Sequence, residues 1–560
     1  MRRRVRGLTA YIEYREIFSH IITPRLVELL FARMPLAATL GQISRISLAL
    51  NNDSVRAIDP NNQRQLIKDF EAEVPWIRRL GDLMSREQRV LVHSLQMAFM
   101  VRLALLHCYT DERLDSDFGD SFVRALLAVN DLYSRTLSTQ SNGAGVFVKM
   151  ELQSLVTFDE GPSQLVYRNA RFFEWAAELS ADDRDFLPVS DDLKRFRGMN
   201  GREFITASFC IFTQFLTIRD ANVAGQRGVF SSLRAMCETL SDRTCINNWL
   251  SRHALSVDEM RSRLAVVPTT YGIGDLLPFL DRPIVIAEDD VVVCPVPMFL
   301  GNVVGTGLFF TLFDAYKAEN EQKSQRFTRM YGRFLEEYCR EIVKWATDGL
   351  SFSITGDEEY TTRYGPRRAT DIIIQCESHP SVFMEVSKKR FNLIATIANG
   401  DMASLSKDLD QMIVEKVEQI GKYIRDVESG LSALSQPCSE ALPLIITGQA
   451  VPGMLGIPRL IRDKLAAVEP FAKVAMAVGG VSYMSVDELE SLAKAFGGRL
   501  DLAALIRKKH NHPETAARDG SVRNFFYYYY SDSTAREPRE LPSQTELFKR
   551  TVIETFEKWM

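Results

Sequence analysis

A chain of 560 residues exceeds one ordinary domain and predicts about three, each large enough to bury a core. With 46% hydrophobic and 25% charged residues it reads as soluble and globular, and a formal net charge of -4 excludes a global basic field. Nucleic-acid binding would therefore rest on local patches.

The eight cysteines (Cys108, Cys210, Cys237, Cys245, Cys294, Cys339, Cys376 and Cys438) lack CxxC spacing and predict reduced core thiols in a cytoplasmic protein. Met1 to Arg6 is basic, but neither an apolar stretch nor a small-residue cleavage site follows, so no export signal is expected. Met298 to Phe313 is apolar, yet it is shorter than the roughly 20 residues a spanning helix needs, and a buried helix or turn is expected instead. No membrane association is predicted.

From Ala10 to about Ser256 the pattern is helical. Apolar residues recur at three- and four-residue spacing over Glu13 to Phe31, Gln63 to Leu80, Arg86 to Cys108, Ser121 to Leu137 and Phe204 to Leu216. Val146 to Asp159 reads as a strand or two. His20, His93, His107 and His253 never fall at ligand spacing with a partner, so surface or core histidines are expected. Pro283 to Ile286 and Val291 to Cys294, joined by Ala287-Glu-Asp-Asp290, predict a hairpin at a seam between halves. Gly301 to Gly307 lacks the Lys-Ser/Thr of a phosphate-cradling loop.

Beyond the seam the order becomes regular: a helix over Arg326 to Ala346, strands over Leu350 to Thr355, Thr370 to Cys376 and Val382 to Ser387, a helix over Leu405 to Glu428, and a strand over Leu442 to Thr447. This α-β-β-β-α-β unit can bury one sheet between helices. Helices are expected over Pro452 to Glu469, Ser485 to Phe496, Leu500 to Lys509 and Gln544 to Met560, and a strand over the aromatic Asn524 to Tyr530. The fold class is thus α+β multidomain, divided into a helical region 1–277, a connecting segment 278–320, a core 321–450 and a mixed C-terminal extension 451–560.

Thr370 to Arg390 holds the chemistry. The β-branched run from Asp371, the turn Glu377-Ser-His-Pro380 and the second apolar run predict a hairpin. If Cys376 pairs with Ser381, Asp371 falls opposite Val386 and one step from Glu385. Two acids on an otherwise apolar hairpin cost free energy unless a cation or proton compensates them.

This order of elements, with an Asp opening the second strand, a Glu near the end of the third and basic residues after it, resembles the PD-(D/E)XK, or restriction-endonuclease-like, nuclease superfamily. Tyr331-Gly-Arg-Phe-Leu-Glu-Glu-Tyr338 is similar to the Gly-x-x-x-Glu pattern of that fold's first helix, with Glu336 as the acid. Gln419-Ile-Gly-Lys-Tyr423 is similar to the Gln-x-x-x-Tyr element of its RecB-like branch. The resemblance implies a Mg²⁺- or Mn²⁺-dependent nuclease acting on DNA, in genome defence or DNA processing. It implies Asp371, Glu385 and Glu336 as metal ligands, Lys388 as the catalytic lysine, and Gln419, Tyr423, Arg368 and Lys389 toward substrate.

The sequence departs from the family at the lysine. Ser387 stands where Glu-x-Lys would place it, and in a regular strand Lys388 points to the opposite face. A β-bulge at Ser387-Lys388 would bring Lys388 round. A lysine from another element would also serve, and a weakened or inactive centre is the remaining alternative. That alternative makes the chain a nuclease-like scaffold binding nucleic acid or protein. Arg363, Arg367, Arg368 and Lys388 to Arg390 flank the acids and are candidates to hold phosphates. The helical half is expected to control access, assembly or target recognition, as a homo-oligomer or with a protein partner.

Overall fold

A computed structural model describes residues 12–51, 74, 76–87, 90–110, 117–139, 162–217, 230–232, 240–267, 269–286, 291–296, 298–362, 365–376, 379–431, 440–452, 456–468, 477–478, 480–530 and 544–560. The helix expected over Glu13 to Phe31 is two, Tyr14–Phe18 and Pro24–Phe31. Ser19 turns left-handed (φ 56°) and ends the first, while Thr23 caps and Pro24 opens the second. The helix expected from Arg86 starts only at Ser94, where His93 and Gln96 cap one another reciprocally. Phe118–Thr139 and Gly201–Thr217 lie where periodicity puts them. Of the stretch Gln63 to Leu80, only the part within Ile77–Glu87 is described as helix. The strands expected over Val146 to Asp159 lie outside the described residues.

Ile284–Ile286 and Val291–Val293 pair antiparallel, with Val285 opposite Val293. Phe230–Ser232 and Ala254–Ser256 extend them to a four-stranded sheet, so this sheet draws strands from both sides of residue 277. Met298 to Phe313 falls in two helices, Met298–Val304 and Thr306–Glu319. Among the described residues no helix is long and apolar enough to cross a membrane.

The second sheet follows the helix Glu321–Ala346, called here the entry helix. Its order is Ala477–Val478, Glu440–Thr447, His379–Ser387, Ile372–Cys376, Ser353–Thr355, and Ser482–Ser485 also pairs with Glu440–Thr447. The three strands first in sequence are antiparallel, whereas Glu440–Thr447 runs parallel to His379–Ser387 and so needs a crossover. The crossover contains the helices Met402–Leu409 and Glu415–Glu428 joined by a π-helical turn, Asp410–Val414. Within this sheet the order along the chain is α-β-β-β-α-β, with a separate hairpin of Glu359–Thr362 and Gly365–Arg368 inserted after its first strand and with two further short parallel strands that the sequence did not signal. These lie beyond residue 450, so the C-terminal extension completes the sheet.

Strand alternation sorts the side chains into two cores. Ile373, Phe383 and Ile445 pack with Val417, Ile420, Tyr423 and Ile424 of the crossover helix Glu415–Glu428. Ile372, Ile374, Val382, Met384, Val386, Leu442, Leu444 and Ile446 pack with Met330, Phe334, Tyr338 and Ile342 of the entry helix and with Leu489 and Leu492 of Val486–Phe496. The sheet is therefore covered on both faces, and a charged side chain on it is buried unless it lies near a strand end.

The Asn524 to Tyr530 stretch corrects the strand expectation. It is a helical turn, Val522–Phe525, running into a π-helical turn, Phe526–Tyr530, capped by the Ser521 hydroxyl on the Asn524 amide. Its β-propensity gives way to packing: Phe525 and Phe526 are buried in the same core as Leu492.

Candidate active site

Ile372 pairs with Met384 and Ile374 with Val382, so the next pair outward is Asp371 with Glu385. This corrects the expected register by one residue. Cys376 pairs with His379 rather than Ser381, and the ladder shifts between Ile374 and Cys376. Directly opposite residues share a face, so the two acids stand on the same side of the sheet, the side covered by the crossover helix. Both are buried, at 7% and 5% exposure. Asp371 Oδ2 accepts the Val386 amide at 2.8 Å, and the Asp371 carbonyl accepts from Arg340 of the entry helix at 2.7 Å.

The cation comes from the crossover helix. Lys416 Nζ lies 2.8 Å from Glu385 Oε2 and donates to Gln419 Oε1 at 3.0 Å. Lys416, Gln419 and Tyr423 are spaced three and then four apart and so share one helix face. Along it they differ in depth. Gln419 is exposed at the mouth, and Tyr423 is buried, its ring against Tyr360 and Phe383 at centroid distances of 5.7 and 6.0 Å. Lys416 is a lysine from another element, which the sequence allowed for without naming it. Nothing local ties it to Glu385, and only its spacing to Gln419 and Tyr423 could have found it.

No bulge turns Lys388 inward. Pairing with the neighbouring strand is regular through Ser387 opposite Thr447, so alternation sends Lys388 to the other layer. Its ammonium donates to the Thr328 carbonyl of the entry helix at 3.0 Å, and its stem lies over Gly332, where an added Cβ would meet Lys388 Cδ at 2.9 Å. Lys388 is thus placed beside Glu336 rather than between Asp371 and Glu385. The Ser387 hydroxyl, buried on the acids' face, has no hydrogen-bond partner.

Burial dominates the electrostatics. It pushes Glu385 up to about 8, with Asp371 adding to the rise and Lys416 opposing it. Glu336, on the entry helix, is raised to about 7 by burial and then by Asp371. Asp371 is raised by burial, against the pull of Lys416. Burial disfavours the charge on Lys416, but Glu385 and Asp371 outweigh it and hold its pKa above the ordinary value. Burial lowers Lys388, with Glu336 opposing. Three carboxylates therefore share a poorly solvated region in which one ammonium contacts a carboxylate directly.

Around this centre, Arg368 pairs with Asp357, whose left-handed backbone (φ 64°) follows Gly356 (φ 120°). A Cβ at Gly356 would sit 2.7 Å from the Asp371 carbonyl, so only glycine lets the two loops meet. Arg367 pairs with Asp426, Lys389 is exposed, and the Arg390 guanidinium lies 5.9 Å from the Phe309 ring. Arg363 lies outside the described residues. Among the described residues no group of three or more His, Cys, Asp or Glu side chains could hold a metal ion, in keeping with Glu336 approaching from the opposite layer. Cys108, Cys210, Cys245, Cys294 and Cys339 are free thiols. A separate hollow lined by Glu440, Leu442, Gly480, Arg507, His510 and Asn511 lies toward the other end of the central strand and holds none of the acids. There His510 Nε2 meets the buried Ser482 hydroxyl at 3.0 Å.

Compared with protein-family models, with curated proteins and with solved structures, the chain has no match in any of the three.

Proposed function

We propose that the chain is a divalent-metal-dependent nuclease with a restriction-endonuclease-like core, acting on DNA. One observation carries this reading: Asp371 and Glu385 stand opposite each other at the end of a buried hairpin, with the Lys416 ammonium on Glu385. The α-β-β-β-α-β order of the elements that build the sheet supports it.

The donor chemistry fits Mg²⁺ or Mn²⁺. Asp371 and Glu385 offer hard oxygen atoms, and burial raises both carboxyls, so a bound cation would offset the cost of ionising them there. It is this donor chemistry, rather than a formed cage, that makes the match. When bound, the cation would neutralise charge building on the phosphate and lower the pKa of a bound water. The residues supply the rest. Two Lys416 protons are engaged by Glu385 and Gln419, which leaves a third for a phosphate oxygen or the attacking water. Lys416 thus takes the role that the family gives to the Glu-x-Lys lysine, and Arg340 positions Asp371 through its carbonyl. Gln419, at the mouth, and Lys389 and Arg368, around it, face substrate.

The test is cleavage of duplex DNA, single-stranded DNA and RNA by the purified chain with Mg²⁺ or Mn²⁺. Metal-dependent cleavage lost in Asp371→Ala and Glu385→Ala is expected; cleavage unchanged in both sinks the assignment. The scaffold reading draws on the same ion pair, since Lys416 already neutralises Glu385 and Ser387 replaces the usual lysine. Calorimetry decides between them: Mn²⁺ binding that disappears in Asp371→Ala favours the enzyme.

A further inference from the structure

The segment that leaves the Glu385 strand carries aliphatic side chains into solvent. Ile394 is 62% exposed, Met402 45% and Leu393 37%. The turn that bears Leu393 and Ile394 is built to hold its shape. The Asn392 side chain caps the Ile394 and Ala395 amides at 3.1 and 2.8 Å, and Asp408 accepts from the Asn392 amide and the Thr396 hydroxyl. Thr396, Ile397 and Ala398 anchor its inner side in the core. The Phe391 amide donates to the Gln449 side chain, and the Gly448 amide donates to the Ser387 carbonyl. These bonds fix the turn at the ends of the two central strands, beside the acids.

Exposed Ile and Leu on a well-capped turn carry a hydration cost that the fold does nothing to relieve. Of the cations before them in sequence, Lys388 turns to the entry helix, Lys389 is exposed and Arg390 is half-buried. Cationic groups next to rigid aliphatic tips are complementary to a phosphate backbone with apolar base faces behind it.

We infer that Leu393 and Ile394 form a wedge that enters a base step of duplex DNA beside the cleavage position, while Lys389 and Arg390 hold the flanking phosphates. The inference rests on the nuclease reading above and names its substrate as a duplex that must be unstacked. Unstacking opens the backbone toward Asp371 and Glu385, which lie buried where an undistorted helix reaches poorly.

The experiment uses the full chain and duplexes with 2-aminopurine scanned across the cleavage position, in Ca²⁺ for binding and Mg²⁺ for cleavage. Wild type is expected to raise 2-aminopurine fluorescence at one step. Leu393→Ser/Ile394→Ser is expected to leave it quenched and to cleave paired duplex about tenfold more slowly or worse. Cleavage recovers on a duplex with a mismatch or one-nucleotide bulge at that step, which a misfolded variant would not show. Leu393→Met/Ile394→Leu should behave as wild type. Wild type that cleaves with 2-aminopurine quenched throughout overturns the wedge alone, as does a serine variant equal to wild type on both substrates. Wild type that neither binds nor cleaves any duplex overturns the wedge, and the nuclease reading falls with it when single-stranded DNA and RNA are left intact as well.

Discussion

The entry helix touches two buried charge clusters, and they are built differently. Glu336 reaches toward Asp371, Glu385 and Lys416, whereas Tyr338, two residues on, points to Arg168, Asp487 and Glu490. In the second cluster Arg168 pairs with both acids and the Tyr338 hydroxyl donates to Glu490 at 2.9 Å, with Glu490 fully buried. One arginine fork answers two carboxylates, and the buried Glu490 Oε2 is left without a hydrogen-bond partner among the described residues. In the first, Lys416 contacts only Glu385 among three raised carboxylates, and Gln419 opens to solvent. The arginine-bridged cluster ties the helix Pro162–Glu178 to Val486–Phe496. The lysine-bridged one leaves Asp371 and Glu336 without a direct ammonium contact among the described residues.

The comparison can be broken at either cluster. Removing the arginine should have the largest effect on the fold: Arg168→Ala leaves two buried acids uncompensated and should cost about 3–5 kcal/mol in denaturant unfolding. Metal dependence of cleavage in the remaining folded protein should be unchanged. Lys416→Met should act the other way, sparing the fold more and lowering turnover about 100-fold at neutral pH. Because Lys416 holds the pKa values of Glu385 and Asp371 down, its loss should move the acid limb of the pH–rate profile to higher pH. A profile that falls in height without shifting would break the electrostatic part of the contrast.

Smaller effects sharpen it. Glu385 and Glu336 have folded pKa values of about 8 and 7, above the ordinary 4.5. Between those limits the folded carboxyls keep protons that unfolded glutamates have released, so these groups lower stability as pH rises from about 4.5 to about 8. Burial also raises Glu488 and Glu490. The informative quantity is therefore the difference between wild type and Glu385→Gln, whose melting temperature should decline less over that range. Mg²⁺ added at pH 8 should raise the melting temperature of wild type and do so less for the variant.

Much of the frame was legible because it follows from periodicity. The amphipathic entry helix, the β-branched run after Asp371 and the apolar run to Ser387 each bury one stripe or face, and each forms near where its pattern lies. The two acids were legible for the same reason, as charges in runs that have to be buried. The exact partner was not. A one-residue slip of the hairpin decides whether Asp371 faces Val386 or Glu385, and that slip is set at the turn, where Cys376 pairs with His379. Lys416 sits 31 residues beyond Glu385 in the chain, so its arrival depends on how the crossover helix lies on the sheet. The aromatic run to Tyr530 misled because strand propensity describes a half-buried pleated surface, and here Ser521 caps a helical turn instead.

Gly332 gives the smallest change and a wider consequence. An added methyl would press on Lys388 at its Cδ and Nζ, the movable end of a flexible side chain, and not on backbone. Gly332→Ala should therefore leave stability nearly unchanged while loosening Lys388 from the Thr328 carbonyl, read as a shifted Lys388 ammonium resonance. The lysine that follows the Glu385 strand is here stored one layer away from the acids under the guard of a missing carbon. In mutational terms, one methyl group separates a lysine pinned to the Thr328 carbonyl from one free to swing on its stem.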